Sequence, residues 1–140
     1  MRLMMVGAYR ETIENLTPER FVGLARHETI YQGVGLLFEH VLARPQLTRS
    51  FMEMSLRDPQ VAELRRAVDQ LATQRLATLI ELICSRQDVP DPDAFAYVLY
   101  GSAMQCAYGL AVHLVPTAID RERARGALTA FIERALFPAG

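Results

Sequence analysis

No lysine occurs in the 140 residues; all fifteen basic side chains are arginine. Neither sign of charge dominates, because sixteen acidic residues leave a formal net charge of −1. A chain so balanced has no general field that would draw it onto DNA or an anionic membrane. Cysteine is limited to Cys84 and Cys106. Both sit in apolar, helix-like stretches, where a free thiol behaves as a small hydrophobe. They read as buried free thiols in a reducing cytoplasm rather than as a disulfide. The run from Met1 to Val6 is too short for the apolar region of a signal peptide, and Arg10 and Glu11 soon follow it. Strand-type alternation is nearly absent, and there is no internal repeat or low-complexity stretch.

What is present is the composition of a globular domain, 51% hydrophobic and 22% charged. Its punctuation is helical. Thr17-Pro18-Glu19, Asp58-Pro59 and Asp91-Pro92 each place a capping side chain before a proline at the first helical position, where the missing N–H costs nothing. Arg44-Pro45 marks a further break. Thr117 to Asp120 opens a last helix with an acidic group near its positive end. The expectation is an all-α, orthogonal-type bundle of about six helices, at 1–15, 18–44, 45–57, 59–86, 92–115 and 120–137. Short connections make sequence neighbours spatial neighbours.

Helical spacing sets the expected inner faces. Phe21, Leu24, Tyr31, Gly35, Phe38 and Leu42 form one. Val61, Leu64, Val68, Leu71, Leu79, Leu82 and Ile83 form another, with Arg65, Arg66, Asp69, Gln70 and Gln74 outside. Ala124, Leu128, Phe131, Ile132, Ala135 and Leu136 form the last. Arg121, Arg123 and Arg125 alternate with Glu122 and read as a solvated face.

From Ala94 to Ile119 no residue is charged if His113 is neutral. That length raises a membrane span, but Ser102, Gln105, His113 and three tyrosines argue against one. A helix apolar on all sides should be buried on all sides. A domain this small can hardly surround it, so part of its surface should meet a second subunit. Tyr97, Gly101, Met104 and Tyr108 share one side, suited to a cavity wall. Leu99, Ser102, Cys106, Gly109 and His113 lie opposite, where small residues permit close helix approach.

Familiar catalytic and metal motifs fail on inspection. His27-Glu28-Thr29-Ile30-Tyr31 resembles the zinc-protease pattern but puts Tyr31 where the second histidine belongs. Cys106 and His113 are two turns apart, too far for a nucleophile–base bond. Gly33-Val34-Gly35 lies within a helix, not in a strand–turn–helix phosphate loop, so its glycines point to close packing or a bend. No metal, cofactor or enzymatic activity is expected. A polar set remains on apolar helices: His27 and Tyr31, then Tyr100, Gln105 and Tyr108, with Phe51, Met52 and Met54 placed to close over them. Together with Tyr97 and Met104 these outline a pocket for a small, largely apolar ligand.

The run Arg44-Pro45-Gln46-Leu47, through Leu56-Arg57-Asp58-Pro59 into a long amphipathic helix, resembles the C-terminal half of TetR-type transcriptional regulators. The likeness continues through Pro92-Asp93-Ala94, the uncharged helix, Asp120-Arg121-Glu122-Arg123 and the ending Ala135-Leu136-Phe137-Pro138. It covers roughly 17–138 and rests on helix order, punctuation and loop length. The family's N-terminal helix-turn-helix is missing, so 1–16 would be the remnant of a linker helix and 17–140 the ligand-binding and dimerisation domain. The resemblance implies a cytoplasmic homodimer in which the last two helices of each subunit form a four-helix bundle. The residues expected there are Leu99, Ser102, Cys106, Gly109 and His113, with Ala124, Leu128, Phe131, Ile132 and Ala135. It also implies that ligand binding favours a state unable to hold DNA, with DNA contacted only through the missing reader. The alternatives are a helical adaptor without a ligand, or a small helical enzyme using His27 and Tyr31.

Overall fold

A computed structural model describes residues 23–112 and 118–138. The expected helix at 1–15, the cap at Thr17, the residues Phe21 and His113, and Thr117 lie outside the described residues. The described chain is all-helical. It forms α1 (Arg26–Ala43), α2 (Pro45–Ser55), α3 (Pro59–Ile83), α4 (Pro92–Val112) and α5 (Arg121–Leu136).

The punctuation works as its chemistry predicts. Asp58 accepts a hydrogen bond from the Gln60 N–H at 2.9 Å, with Pro59 at the first helical position. Asp91 accepts from Ala94 at 3.2 Å. Asp120 accepts from Arg123 at 2.8 Å. Each carboxylate satisfies an orphan N–H and stabilises the positive end of its helix. The expected start at Pro18 lies outside the described residues, but the expected helix at 18–44 is not continuous through residues 23–25. Gly23 takes a φ of 83°, a left-handed conformation suited to glycine, and the helix begins only at Arg26.

The core forms around α1, which packs against α2, α4 and α5. Ile30, Val34, Leu37, Phe38 and Val41 are its buried side chains. This stripe is broader than the expected one and rotated from it, because α1 meets neighbours on several sides. α4 presents Ala96, Tyr100, Ala103 and Ala107 to the interior, and packs chiefly on α3 and α1. Its other side, including Val98, Ser102 and Cys106, is exposed. The expectation of two buried thiols is therefore corrected: Cys84 is half-buried and Cys106 is exposed. Partial burial still raises both thiols above the ordinary value of 9.0, so both stay protonated and weakly nucleophilic near neutral pH. Among the described residues, no helix is long and apolar enough to cross a membrane.

Two further inner-face expectations change. Leu82 and Ile83 are 64% and 46% exposed. α3 has 25 residues against 18 in α1, about 37 Å against 27 Å at 1.5 Å per residue, so its end outruns the packing. Arg125, expected on a solvated face, instead lays its guanidinium over the Tyr31 ring, 3.6 Å from the centroid. Its Nε donates to the Tyr31 carbonyl at 3.0 Å.

The α1–α5 contact has two more polar ties. The Tyr31 hydroxyl donates to Glu122 at 2.7 Å, and His27 Nδ1 lies 2.8 Å from Glu133 Oε2. Gly35 makes this approach possible, since a Cβ there would overlap the Arg125 guanidinium. At Gly33 a Cβ would meet nothing within 4 Å.

The two glycines should therefore separate in urea denaturation. Gly33→Ala should stabilise by about 0.5–1 kcal/mol through helix propensity. Gly35→Ala, with the same intrinsic gain, should instead lose about 1 kcal/mol by displacing Arg125.

The Tyr31 phenol is held above its ordinary 10.0, first by its hydrogen bond to Glu122 and then by desolvation, against the opposing charge of Arg125. The fold thus favours the protonated phenol. This contribution is full below pH 10 and is lost as pH rises through the elevated folded value. In denaturation measured from pH 8 upward, the stability gap between the native chain and Tyr31→Phe should narrow as the pH passes 10.

Candidate functional site

The larger of two concavities among the described residues is a cleft of about 1100 Å³ between α2, α3 and α4. It contains Phe51 and Met52 from α2, and Tyr97, Tyr100, Met104, Gln105 and Tyr108 from α4. Seven of the ten side chains expected to form a ligand pocket thus come together. They do so because positions 97, 100, 101, 104, 105 and 108 of a helix share one side at 3.6 residues per turn. Phe51 is buried while Met52 is half-buried, which places an adaptable thioether where the cleft opens.

The remaining three lie elsewhere. Met54 packs against the hydrophobic core. His27 and Tyr31 line neither this cleft nor the second cavity of the molecule. They stand on the outer face of the α1–α5 contact, each tied to a carboxylate of α5. Their i, i+4 spacing on an apolar helix is the spacing of a pocket pair, and equally that of a helix–helix tie.

The third wall was missed by sequence reasoning. Arg65, Asp69 and Thr73, with Arg66, Gln70 and Gln74, line the cleft from α3, where a water-facing surface was expected. Two polar rows at i, i+4 opposite an apolar stripe look the same whether they face bulk water or a wet cleft. The expected outer face of Arg65, Arg66, Asp69, Gln70 and Gln74 is corrected accordingly: it borders the cleft.

These groups form a connected network. The Tyr100 hydroxyl donates to Asp69 Oδ1 at 2.9 Å. Arg65 Nε lies 3.7 Å from Asp69 Oδ2, and Arg65 Nη1 donates to the Ser55 hydroxyl at 3.0 Å. The Ser55 hydroxyl in turn donates to the Met52 carbonyl at 2.7 Å. Tyr100 is buried, so its hydroxyl needs the partner it has. Arg66 pairs with Glu63 at 3.1 Å, and Asp93 sits in the first turn of α4, where the helix end favours its charge. The charges lining the cleft are therefore each compensated locally. Its net character is near-neutral, with phenol, amide and hydroxyl groups on apolar walls. Among the described residues, no cluster of histidine, cysteine and carboxylate side chains could hold a metal ion.

The residues expected at a subunit interface divide. Leu128 and Ile132 are buried within the chain, and Ala124 is packed partly against the core. Leu99 is half-buried and lines the second cavity, and Gly109 is half-buried. Ser102 and Cys106 on α4 are exposed, as are Phe131 and Ala135 on α5. Phe131 is 71% exposed. His113 lies outside the described residues. Comparison with protein-family models, curated proteins and solved structures gives no match for this chain.

The tie between Tyr100 and Asp69 has a measurable size. In a double-mutant cycle with Tyr100→Phe and Asp69→Asn, denaturation should give a coupling of about 1–2 kcal/mol, as for a hydrogen bond to a charged acceptor. A coupling near zero would mean that the bond is not held in solution.

Proposed function

We propose that this chain is the small-molecule-sensing and dimerisation domain of a TetR-like transcriptional regulator. The observation that carries the reading is the cleft of α2, α3 and α4, floored by the Tyr100–Asp69–Arg65 network. A large, mostly apolar concavity with a few convergent polar groups is what a ligand site requires. The alternative of an adaptor without a ligand has less support, because such a protein needs a presented surface and no cleft of this size. The alternative of an enzyme using His27 and Tyr31 has less support still, since both are outside the cavities.

The lining bears on the ligand. Aromatic walls and locally compensated charge favour an aromatic molecule with hydrogen-bonding groups and no net charge, more polar than the sequence suggests. Binding would act on DNA by population shift. The ligand must hold one arrangement of the helices more tightly than another, and a DNA reader carried elsewhere in the protein would feel the difference. The dimer in this reading uses the exposed uncharged strip of α4 at Val98, Ser102 and Cys106, of which Val98 and Ser102 also rim the cleft, together with the exposed Phe131 and Ala135 of α5. Large exposed apolar groups beside small ones suit close helix packing between subunits.

Light scattering at micromolar concentration should report a dimer, and Phe131→Arg should convert it to monomer without unfolding, because that side chain is outside the chain's own core. Native mass spectrometry of the purified chain should detect a bound small molecule, which Tyr100→Phe should weaken about tenfold. A monomeric native chain would refute the dimer. A ligand whose affinity ignores Tyr100 would refute the cleft as its site.

A further inference from the structure

The second cavity differs from the cleft in kind. It occupies about 380 Å³ among α1, the C-terminal end of α3, α4 and α5. Aliphatic side chains make up nearly all of its wall, among them Ile30, Leu37, Leu79, Ile80, Leu99 and Ile132. Among the described residues no carboxylate lines it, and the polar side chains on its wall are Arg26 and Thr29. Arg26 is exposed, so it stands where the cavity meets water. Its guanidinium lies 3.8 Å from the centroid of the Phe137 ring, and Phe137 is also part of the wall.

Two features give this arrangement a direction. The wall is greasy and closed to charge along its length, which suits a saturated chain and excludes a polar molecule. At the mouth one guanidinium lies over an aromatic ring, makes no ion pair among the described residues, and so has N–H groups to offer a planar anion. Leu99 and Tyr100 are neighbours on α4, yet Leu99 enters this cavity and Tyr100 enters the cleft. The two sites are therefore distinct.

We infer that this cavity binds a medium- or long-chain fatty carboxylate, with the alkyl chain among the aliphatic side chains of α1, α3, α4 and α5 and the carboxylate on Arg26. The inference does not depend on the regulatory reading given above, because it concerns a different site and a different chemistry.

The test is calorimetric titration of the delipidated full chain with octanoate, decanoate and dodecanoate below their micellar concentrations, with decanol as the uncharged counterpart. Binding should saturate at one molecule per chain and tighten roughly three- to fourfold for each added methylene until the cavity is full. Arg26→Gln should weaken decanoate by about three- to tenfold and leave decanol unchanged. Gly33→Leu should abolish both, since that position lines the cavity and has open space beside it, and the change favours the helix. Circular dichroism will show whether this variant is folded. Tyr100→Phe, in the other cleft, should leave the fatty acid affinity where it was. The inference is overturned if no saturable binding occurs, if decanoate ignores Arg26→Gln, or if folded Gly33→Leu binds as well as the native chain.

Discussion

Ala96, Ala103 and Ala107 are all fully buried, and the close approach they permit shapes everything around α4. A helix that meets its neighbours through methyl groups has its backbone near theirs. Its larger side chains cannot enter that contact and are turned to the flanks. On one flank Tyr97, Met104 and Tyr108 form a wall of the cleft. On the other, Leu99 reaches into the aliphatic cavity. Tyr100 is the exception, a large residue in the buried row, and it is accommodated because its hydroxyl reaches across to Asp69. That bond gives a phenol buried beside alanines a charged acceptor for its hydroxyl.

α3 is divided along its length in a corresponding way. Its earlier turns carry the polar rows that face the cleft, and its last turns carry Leu76, Leu79 and Ile80 into the aliphatic cavity. One helix thus furnishes a hydrogen-bonding wall and a dry wall in succession. α1 is common to both sites as well, with Val41 at the cleft and Val34 at the cavity. Its attachment to α5 through Arg125, Tyr31 and the bare backbone of Gly35 makes α1 the mechanical link between the two cavities and the outer helix.

Much of this was legible in the sequence. Local chemistry marked the helix starts at Asp58, Asp91 and Asp120, because a capping carboxylate, with a proline after it at Asp58 and Asp91, acts within a few residues and needs no tertiary partner. Helical spacing on α4 gathered the cleft residues for the same reason. The failures share one cause. Whether Arg65 and Asp69 face bulk water or a cleft depends on what stands opposite them, and nothing local encodes that. His27 and Tyr31 have the spacing of a site, but Glu133 and Glu122, about a hundred positions away, decide their role. Arg125 sits in an alternating charge pattern and still leaves the solvent, because Gly35 opens a space for it. The left-handed turn at Gly23 was a single-residue signal, overlooked beside the stronger proline at Pro18.

Pro45 has a consequence for the shape of the cleft as a whole. Only Arg44 separates α1 from α2. Were the residue after it able to continue the hydrogen-bond ladder, Arg26 to Ser55 could wind into a single rod roughly 45 Å long. Such a rod would carry Phe51 and Met52 straight past the end of the bundle. The imino acid denies the ladder its next donor and forces the backbone before it out of the helical region. The chain folds back at that point, and Phe51 and Met52 come to stand over α3 and α4. The cleft thus owes one of its three walls to a pyrrolidine ring that need make no contact with anything inside it.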